Sequence, residues 1–316
     1  MPTLPPIAEL APNLSGAAFY LCAGKERRPR RGGEDLLAVQ LLDSSGQLPG
    51  RVLEAVDDLD PQFEAGEFVR VEGRTQLYHG RLQLVIDRIR RVMESDRAQG
   101  FREDACLPSA PRPVDEMWRD LLAIVEGVRN PFVKALLEDV LAAHEDRLKL
   151  WPAAVAVHHA YRGGLLEHVL QVATVARTLA ASYGADVDVV IAGAVLHDLG
   201  KLRELAVDPA TSYTRDGNLL GHITIGAVLI HDACAAIPDF PETLRAHIQH
   251  LVVSHHGERA LGSPAVPMTV EAFILSAADA LDATIHQVRS ATAADKGEGE
   301  FTGYHPRLER VLWKRP

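Results

Sequence analysis

The chain is poor in cysteine: Cys22, Cys106 and Cys234 lie far apart among its 316 residues and form no CxxC pair. An odd number of scattered thiols argues against a disulfide framework or a cysteine-based zinc site, and fits a reducing cytoplasm. Long apolar runs are scarce too. Runs such as 187–196 are too short to span a bilayer, and this one is interrupted by Asp188, so no membrane partner is expected. The opening "MPTLPPIAEL" lacks the basic start and apolar stretch of a secretory leader. Excess positive charge is also absent, since 33 basic against 43 acidic residues leave a net charge of −10. That argues against coating nucleic acid by bulk charge, though not against binding it in a local groove. No internal repeat or low-complexity block is found.

What is present falls into two halves. Residues 14–95 read as short strands. "EDLLAVQLLDSSG" is a β-type run closed by a turn cluster. "FVRVEGRTQLYHGRLQLVIDRI" alternates Val69 and Val71, then Leu82, Leu84 and Ile86, across a turn at His79-Gly80. Several short strands with Gly-rich turns predict a small β-barrel. The prolines of "LPSAPRPVDE" mark a linker. From Val114 onward helices dominate. Leu165, Val169, Val172, Ala176 and Leu179 keep the spacing of one helical face. "DVDVVIAGAVLHDLG" has an N-cap at Asp186 or Asp188 and a closing Gly200, and "PMTVEAFILSAADALDATIHQV" is a further long helix. The expected organisation is a barrel domain over 1–107, a linker over 108–113 and a helical domain over 114–316.

Histidine is the anomaly. Ten of the 14 lie between His158 and His256. His168 sits beside the apolar stripe of "GGLLEHVLQVA". His197 and Asp198 end the next apolar run, where a buried carboxylate is costly unless a partner holds it. His222 opens "HITIGAVLI", His255 and His256 close "LVVSHHG", and Asp279 is flanked by alanines in "ILSAADALDA". Imidazoles and carboxylates together form the mixed shell that suits divalent transition metals, and helical bundles build such centres from inward-facing residues of separate helices.

The order His168, His197-Asp198, His222, His255-His256, Asp279 resembles the signature of the HD superfamily of metal-dependent phosphohydrolases. With "HHAYRGGLLEHVLQV", "LHDLGKLREL", "GNLLGHITIG", "LVVSHHGE", "GSPAVPMTVEA" and "ADALDA" it is similar, more narrowly, to the YhaM family of 3′–5′ exoribonucleases, over residues 14–290. The resemblance implies a multi-domain β + α protein, an N-terminal small OB-type β-barrel followed by an all-α HD-superfamily helical domain. It implies a metal-dependent hydrolase acting from the 3′ end of single-stranded RNA, and of single-stranded DNA. It also implies a two-ion centre, with Mn²⁺ first and Fe²⁺, Ni²⁺, Co²⁺ or Zn²⁺ permitted by the donors. His168, His197, Asp198 and Asp279 would hold one ion. Asp198 would bridge to a second ion held by His222 and the His255-His256 pair, either of which could be the direct ligand. A carboxylate has two oxygens and can span ions about 3.5–4 Å apart, whereas an imidazole nitrogen binds one.

Lys201, on the loop leaving the site, is expected to act with Asp198 in catalysis by touching a phosphate oxygen as a point charge; the alternative is a solvated lysine. His158, His159 and Arg162 match the family stretch before the first ligand, and either bind substrate phosphates or fill capping and surface roles. His250, Glu167, Glu204 and Asp282 either orient ligands from behind or are simply nearby. His79, His144, His231, His286 and His305 show no pattern and read as structural or surface. In the barrel half, single-strand binding would need a basic groove and aromatic platforms. Tyr78, at the turn, is the better stacking candidate, while Phe19 and Phe68 suit a barrel core. Lys25, Arg27 and Arg28 of "GKERRPRRGG" either clasp a nucleic-acid backbone or belong to a solvated loop. An HD-type phosphohydrolase for small or cyclic nucleotides is the alternative, and the barrel weighs against it. A metal-holding protein without turnover is a third reading, and a homo-oligomer is left open.

Overall fold

A computed structural model describes residues 2–29, 35–78, 80–107, 109–154, 159, 161–207, 211–295 and 297–314. The chain divides into two compact units, Met1–Ser109 with Ala206–Ser212, and Ala110–Leu205 with Tyr213–Pro316. The first division falls inside the stretch expected to be a linker.

The first unit is a closed barrel of β1 (Ser15–Pro29), β2 (Asp35–Asp43), β3 (Gly46–Val52), β4 (Phe68–Tyr78) and β5 (Arg81–Arg91), joined in the order β1-β2-β3-β5-β4. Its pairs are antiparallel except β3 with β5. The period-2 alternation of β4 buries Val69, Val71 and Thr75 and turns Arg70, Glu72 and Arg74 outward. The inner face closes over Tyr20, Leu37, Leu41, Phe63, Leu84 and Ile89. Phe19 and Phe68 are not in that core. Both are half-buried and pack edge-on against Phe101, with ring centroids 5.4 and 5.5 Å away. They fall on the outer face because their neighbours Tyr20 and Val69 take the inner one. Short helices α1 (Val56–Leu59) and α2 (Glu103–Cys106) complete the unit.

The second unit packs α3 (Val114–Glu126), α4 (Pro131–Leu150), α5 (Gly164–Tyr183), α6 (Val187–Leu196), α7 (Lys201–Glu204), α8 (Arg215–Ala236), α9 (Glu242–Ser254) and α10 (Val270–Ala294). Between α7 and α8 the chain forms a ribbon of β6 (Leu205–Val207) and β7 (Thr211–Tyr213), most of which belongs to the first unit. Caps start the helices where short polar residues precede apolar runs. Asn130 accepts from Phe132 and Val133 N–H, Asp186 from Asp188 and Val189, and Thr269 from Ala272. Every residue of α6 from Val189 to Leu196 is buried, which makes it the axis of the core. Each such Val, Leu or Ile contributes about 1.5–3 kcal/mol on burial. The helix α8 is the one described helix long and apolar enough to cross a membrane by length and composition. Gly221, at φ 70° and ψ 157°, breaks it.

Candidate metal centre

Five helical segments converge on one point. His168 lies in the first half of α5, and His197 caps α6 with helical backbone angles. Gly200 does not close α6 as expected. It takes ordinary right-handed angles and precedes α7. Its role is close approach, since a Cβ there would lie 1.9 Å from the His222 carbonyl oxygen. The missing side chain lets α8 lie against the turn that carries Asp198. The left-handed kink at Gly221 then redirects the chain at His222. His255 caps α9, and Asp279 sits in α10.

Asp198 divides the centre in two. On one side, the Nε2 of His168 lies 3.4 Å from Asp198 Oδ2, 3.2 Å from Asp279 Oδ1 and 3.1 Å from the Nε2 of His197. His197 Nε2 is 3.4 Å from the same Asp198 oxygen. On the other side, Asp198 Oδ1 lies 3.4 Å from His222 Nε2 and 3.9 Å from His255 Nε2. The ligand atoms of His222, His255 and His256 all fall within 4.8 Å of one another. Every residue expected from the sequence to bind metal is therefore in one cluster, with each carboxylate oxygen of Asp198 facing its own group of imidazoles.

The hydrogen bonds behind the rings fix their tautomers. The Nδ1 of His197 faces Ala194 O at 2.9 Å, that of His255 faces Val252 O at 2.7 Å, and that of His256 faces Leu261 O at 2.9 Å. His168 Nδ1 meets Asp282 Oδ2 at 2.7 Å, and His222 Nδ1 meets Glu204 Oε1 at 3.1 Å. Carbonyls and carboxylates accept, so each Nδ1 donates and each Nε2 is aimed inward. The Nε2 atoms of His168 and His197, 3.1 Å apart, need a cation or a proton between them. Among the described residues, Asp198 Oδ1, His222 Nε2 and His255 Nε2 are buried without a hydrogen-bond partner. Isolated buried polar atoms are costly. Three that face one another fit divalent cations, and their chemistry is the mixed N/O set that such ions take.

Charge is distributed accordingly. Burial opposes ionisation of Asp198, but Lys201 and His197 hold its carboxyl well below the usual range. Burial likewise opposes a proton on His168, but its hydrogen bonds to Asp198, Asp279 and Asp282 raise it well above an ordinary imidazole. Burial, reinforced by His197, pushes His255 well below. Burial works against the charged forms of Asp279 and Glu204, yet their histidine partners depress both.

Other expected site residues are placed differently. Lys201 is not on an exit loop. It begins α7, is buried, and its Nζ lies 2.6 Å from Asp198 Oδ2, because one helical turn brings the two side chains together. His159 is buried and bonded on both ring nitrogens. Arg162 is exposed, and His158 lies outside the described residues. Tyr78 is exposed at the end of β4. Lys25 donates to Asp60 O and Phe63 O, each at 2.7 Å, and pairs with Asp60 Oδ1 at 2.8 Å. Arg27 pairs with Asp35 and Asp57, and Arg28 with Glu26. Acidic residues of the barrel unit thus neutralise the described part of the basic run. Glu204 and Asp282, left open between orienting and incidental roles, both bond a histidine of the centre. Tyr161 and His286 were missed: Tyr161 Oη bonds both Glu167 and His286. The spacing Asp279, Asp282, His286 on one face of α10 was the available signal for His286.

The HD domain family matches residues 165–284. The chain is 35% identical over 286 residues to the 3′–5′ exoribonuclease YhaM of Bacillus subtilis (strain 168), spanning 90% of this chain and 89% of that protein. It is 34% identical over 285 residues to the 3′–5′ exoribonuclease YhaM of Bacillus pumilus (strain SAFR-032), spanning 90% and 89%. Among solved structures it is similar to the HD domain of the L. monocytogenes phosphodiesterase PgpH, at 18% identity and TM-score 0.31 over 52% of this chain and 80% of that one. It is also similar to the second OB-fold domain of replication protein A from Methanococcus maripaludis, at 24% identity and TM-score 0.25 over 29% of this chain and 96% of that one.

Proposed function

The chain belongs to the YhaM family of 3′–5′ exoribonucleases, and on that premise we propose that it shortens single-stranded RNA, and single-stranded DNA, from the 3′ end. The reaction is hydrolysis of the terminal phosphodiester. The observation that carries this reading is the pair of Asp198 oxygens, each turned to its own set of inward-facing imidazole Nε2 atoms.

His168, His197, Asp198 and Asp279 would hold one divalent ion, and Asp198, His222, His255 and His256 a second. When bound, such ions supply Lewis acidity toward a phosphoryl oxygen and a water acidic enough to attack near neutral pH. The protein's own groups do the rest. Asp198 links the two sides through its two oxygens. Lys201 Nζ balances the negative charge on Asp198 Oδ2 from 2.6 Å and keeps a fixed cation beside the reacting phosphate. The carbonyls and carboxylates behind the rings accept from each Nδ1 and so aim each Nε2 inward. Burial of the floor keeps bulk water from competing for the donors. Mn²⁺ is the proposed native ion, and the donor set also accepts Fe²⁺, Co²⁺, Ni²⁺ and Zn²⁺. In the barrel, Tyr78 pairs across the strands with Arg81, and both are exposed, which supports stacking of a base with a cation beside its phosphate. Arg162 is a proposed phosphate contact. The free, buried cysteines support a reducing compartment, proposed as the cytoplasm.

The test is a time course on 5′-labelled single-stranded RNA and DNA with Mn²⁺, beside Asp198→Ala and EDTA controls. A descending ladder lost in both controls is expected. Intact oligonucleotides together with hydrolysis of mononucleotides or cyclic nucleotides would overturn the reading in favour of a small-nucleotide phosphohydrolase.

A further inference from the structure

We propose that His159 is a positioning residue for the metal centre, acting on His168 through Asp282. His159 lies behind the centre, where it clamps two carboxylates. Its Nδ1 is 2.8 Å from Glu167 Oε2, and its Nε2 is 3.1 Å from Asp282 Oδ2. The same Asp282 oxygen meets His168 Nδ1 at 2.7 Å. The result is an unbroken line: carboxylate, imidazole, carboxylate, imidazole, then the inward Nε2 of His168. Tyr161 Oη donates to the outer carboxylate, and the His286 ring packs 4.1 Å from the ring of His159.

The backbone is built to hold His159 there. Its φ is +49°, a left-handed conformation that costs free energy in a non-glycine residue and persists only where surroundings over-determine it. Its carbonyl accepts from Ala153 N–H at 3.0 Å. A Cβ on Gly164 would lie 2.0 Å from that carbonyl oxygen, so the glycine opening α5 makes room for it. A side chain only 5% exposed, with both nitrogens engaged by carboxylates, is ill-suited to contact a substrate phosphate. Without His159, Asp282 loses the donor opposite His168, and its oxygen is free to rotate off the ring nitrogen that sets the ligand's tautomer and aim.

This inference rests on His168 being a metal ligand, and the experiment separates the two. The full-length apoprotein is titrated with Co²⁺, reading binding and the ligand-field absorption of the bound ion. Partners behind metal ligands are worth roughly 10–100-fold in affinity, so Asp282→Asn is expected in that range, His159→Gln about 5-fold and Glu167→Gln about 2-fold. The spectrum should change in the same order. In the Asp282→Asn background, His159→Gln should cost nothing further, because its route to the metal is gone. Oligonucleotide KM should hold while kcat falls. A raised KM with unchanged Co²⁺ affinity and spectrum would overturn the proposal and make His159 a substrate contact. Additive losses in the double variant would also overturn it. Glu167 is half-buried, so its variant decides the matter if His159→Gln does not fold. Unchanged Co²⁺ binding in His168→Ala would instead sink the metal reading.

Discussion

Asp96 and Asp198 are both buried carboxylates, one in each unit, and their surroundings differ in one respect. Asp96 accepts the two-pronged guanidinium of Arg90 at 2.7 and 2.8 Å and the Met93 N–H at 2.8 Å, so both oxygens are satisfied. Asp198 has Lys201 on Oδ2, while Oδ1 has no hydrogen-bond partner and faces imidazole lone pairs. Equal burial therefore carries opposite meanings. A saturated carboxylate holds structure together, whereas a half-saturated one is prepared for a ligand the chain does not itself contain.

The comparison breaks most sharply under substitution by asparagine. Asp198→Asn should lower turnover by roughly 10²–10³-fold or more, the scale of losing a preorganised electrostatic group, with the far-ultraviolet circular dichroism unchanged. Asp96→Asn should do the reverse. It should cost about 2–3 kcal/mol by denaturant titration, the scale of lost charge-assisted hydrogen bonds, with activity per folded molecule preserved. Swapped phenotypes would end the distinction. Next in size is the response to metal. Mn²⁺ at 100 times its Kd should stabilise the protein by about 2.7 kcal/mol, an effect kept in Asp96→Asn and lost in Asp198→Asn, as scanning calorimetry would report.

Acid gives the smallest effect and sharpens the barrel side. The Arg90 guanidinium holds the Asp96 carboxyl down at about 2, against an ordinary 3.8. The unfolded chain binds this proton more readily than the folded one. The contribution is therefore complete above an ordinary carboxylate pKa and is lost as pH falls from about 4 toward 2. The midpoint of thermal unfolding followed across that window should fall less steeply in Asp96→Asn than in the parent. An identical slope would show that other carboxylates carry the acid sensitivity.

Much of this was legible in the sequence, for a physical reason. Ligands that must converge on an ion sit at helix ends and inward faces, so His168, His197-Asp198, His222, His255-His256 and Asp279 stand out against apolar neighbours. The β4 alternation and the Asp186 cap are local signals of the same kind. What was hidden depends on contacts between distant parts of the chain. Nothing near Lys25 announces that Asp60 and the Phe63 carbonyl will bind it. His159 and Asp282 are 123 positions apart, and only the packing of the turn before α5 against α10 joins them. Gly200 looked like a helix terminator because glycine more often ends a helix than lets another backbone touch it.

That glycine has a mechanical consequence. The turn bearing Asp198 and the segment bearing His222 are in backbone contact at Gly200, with no side chain in between. Van der Waals contact between the two backbones sets how closely they approach. Any side chain at position 200 would therefore push the segment bearing His222 away from the turn bearing Asp198.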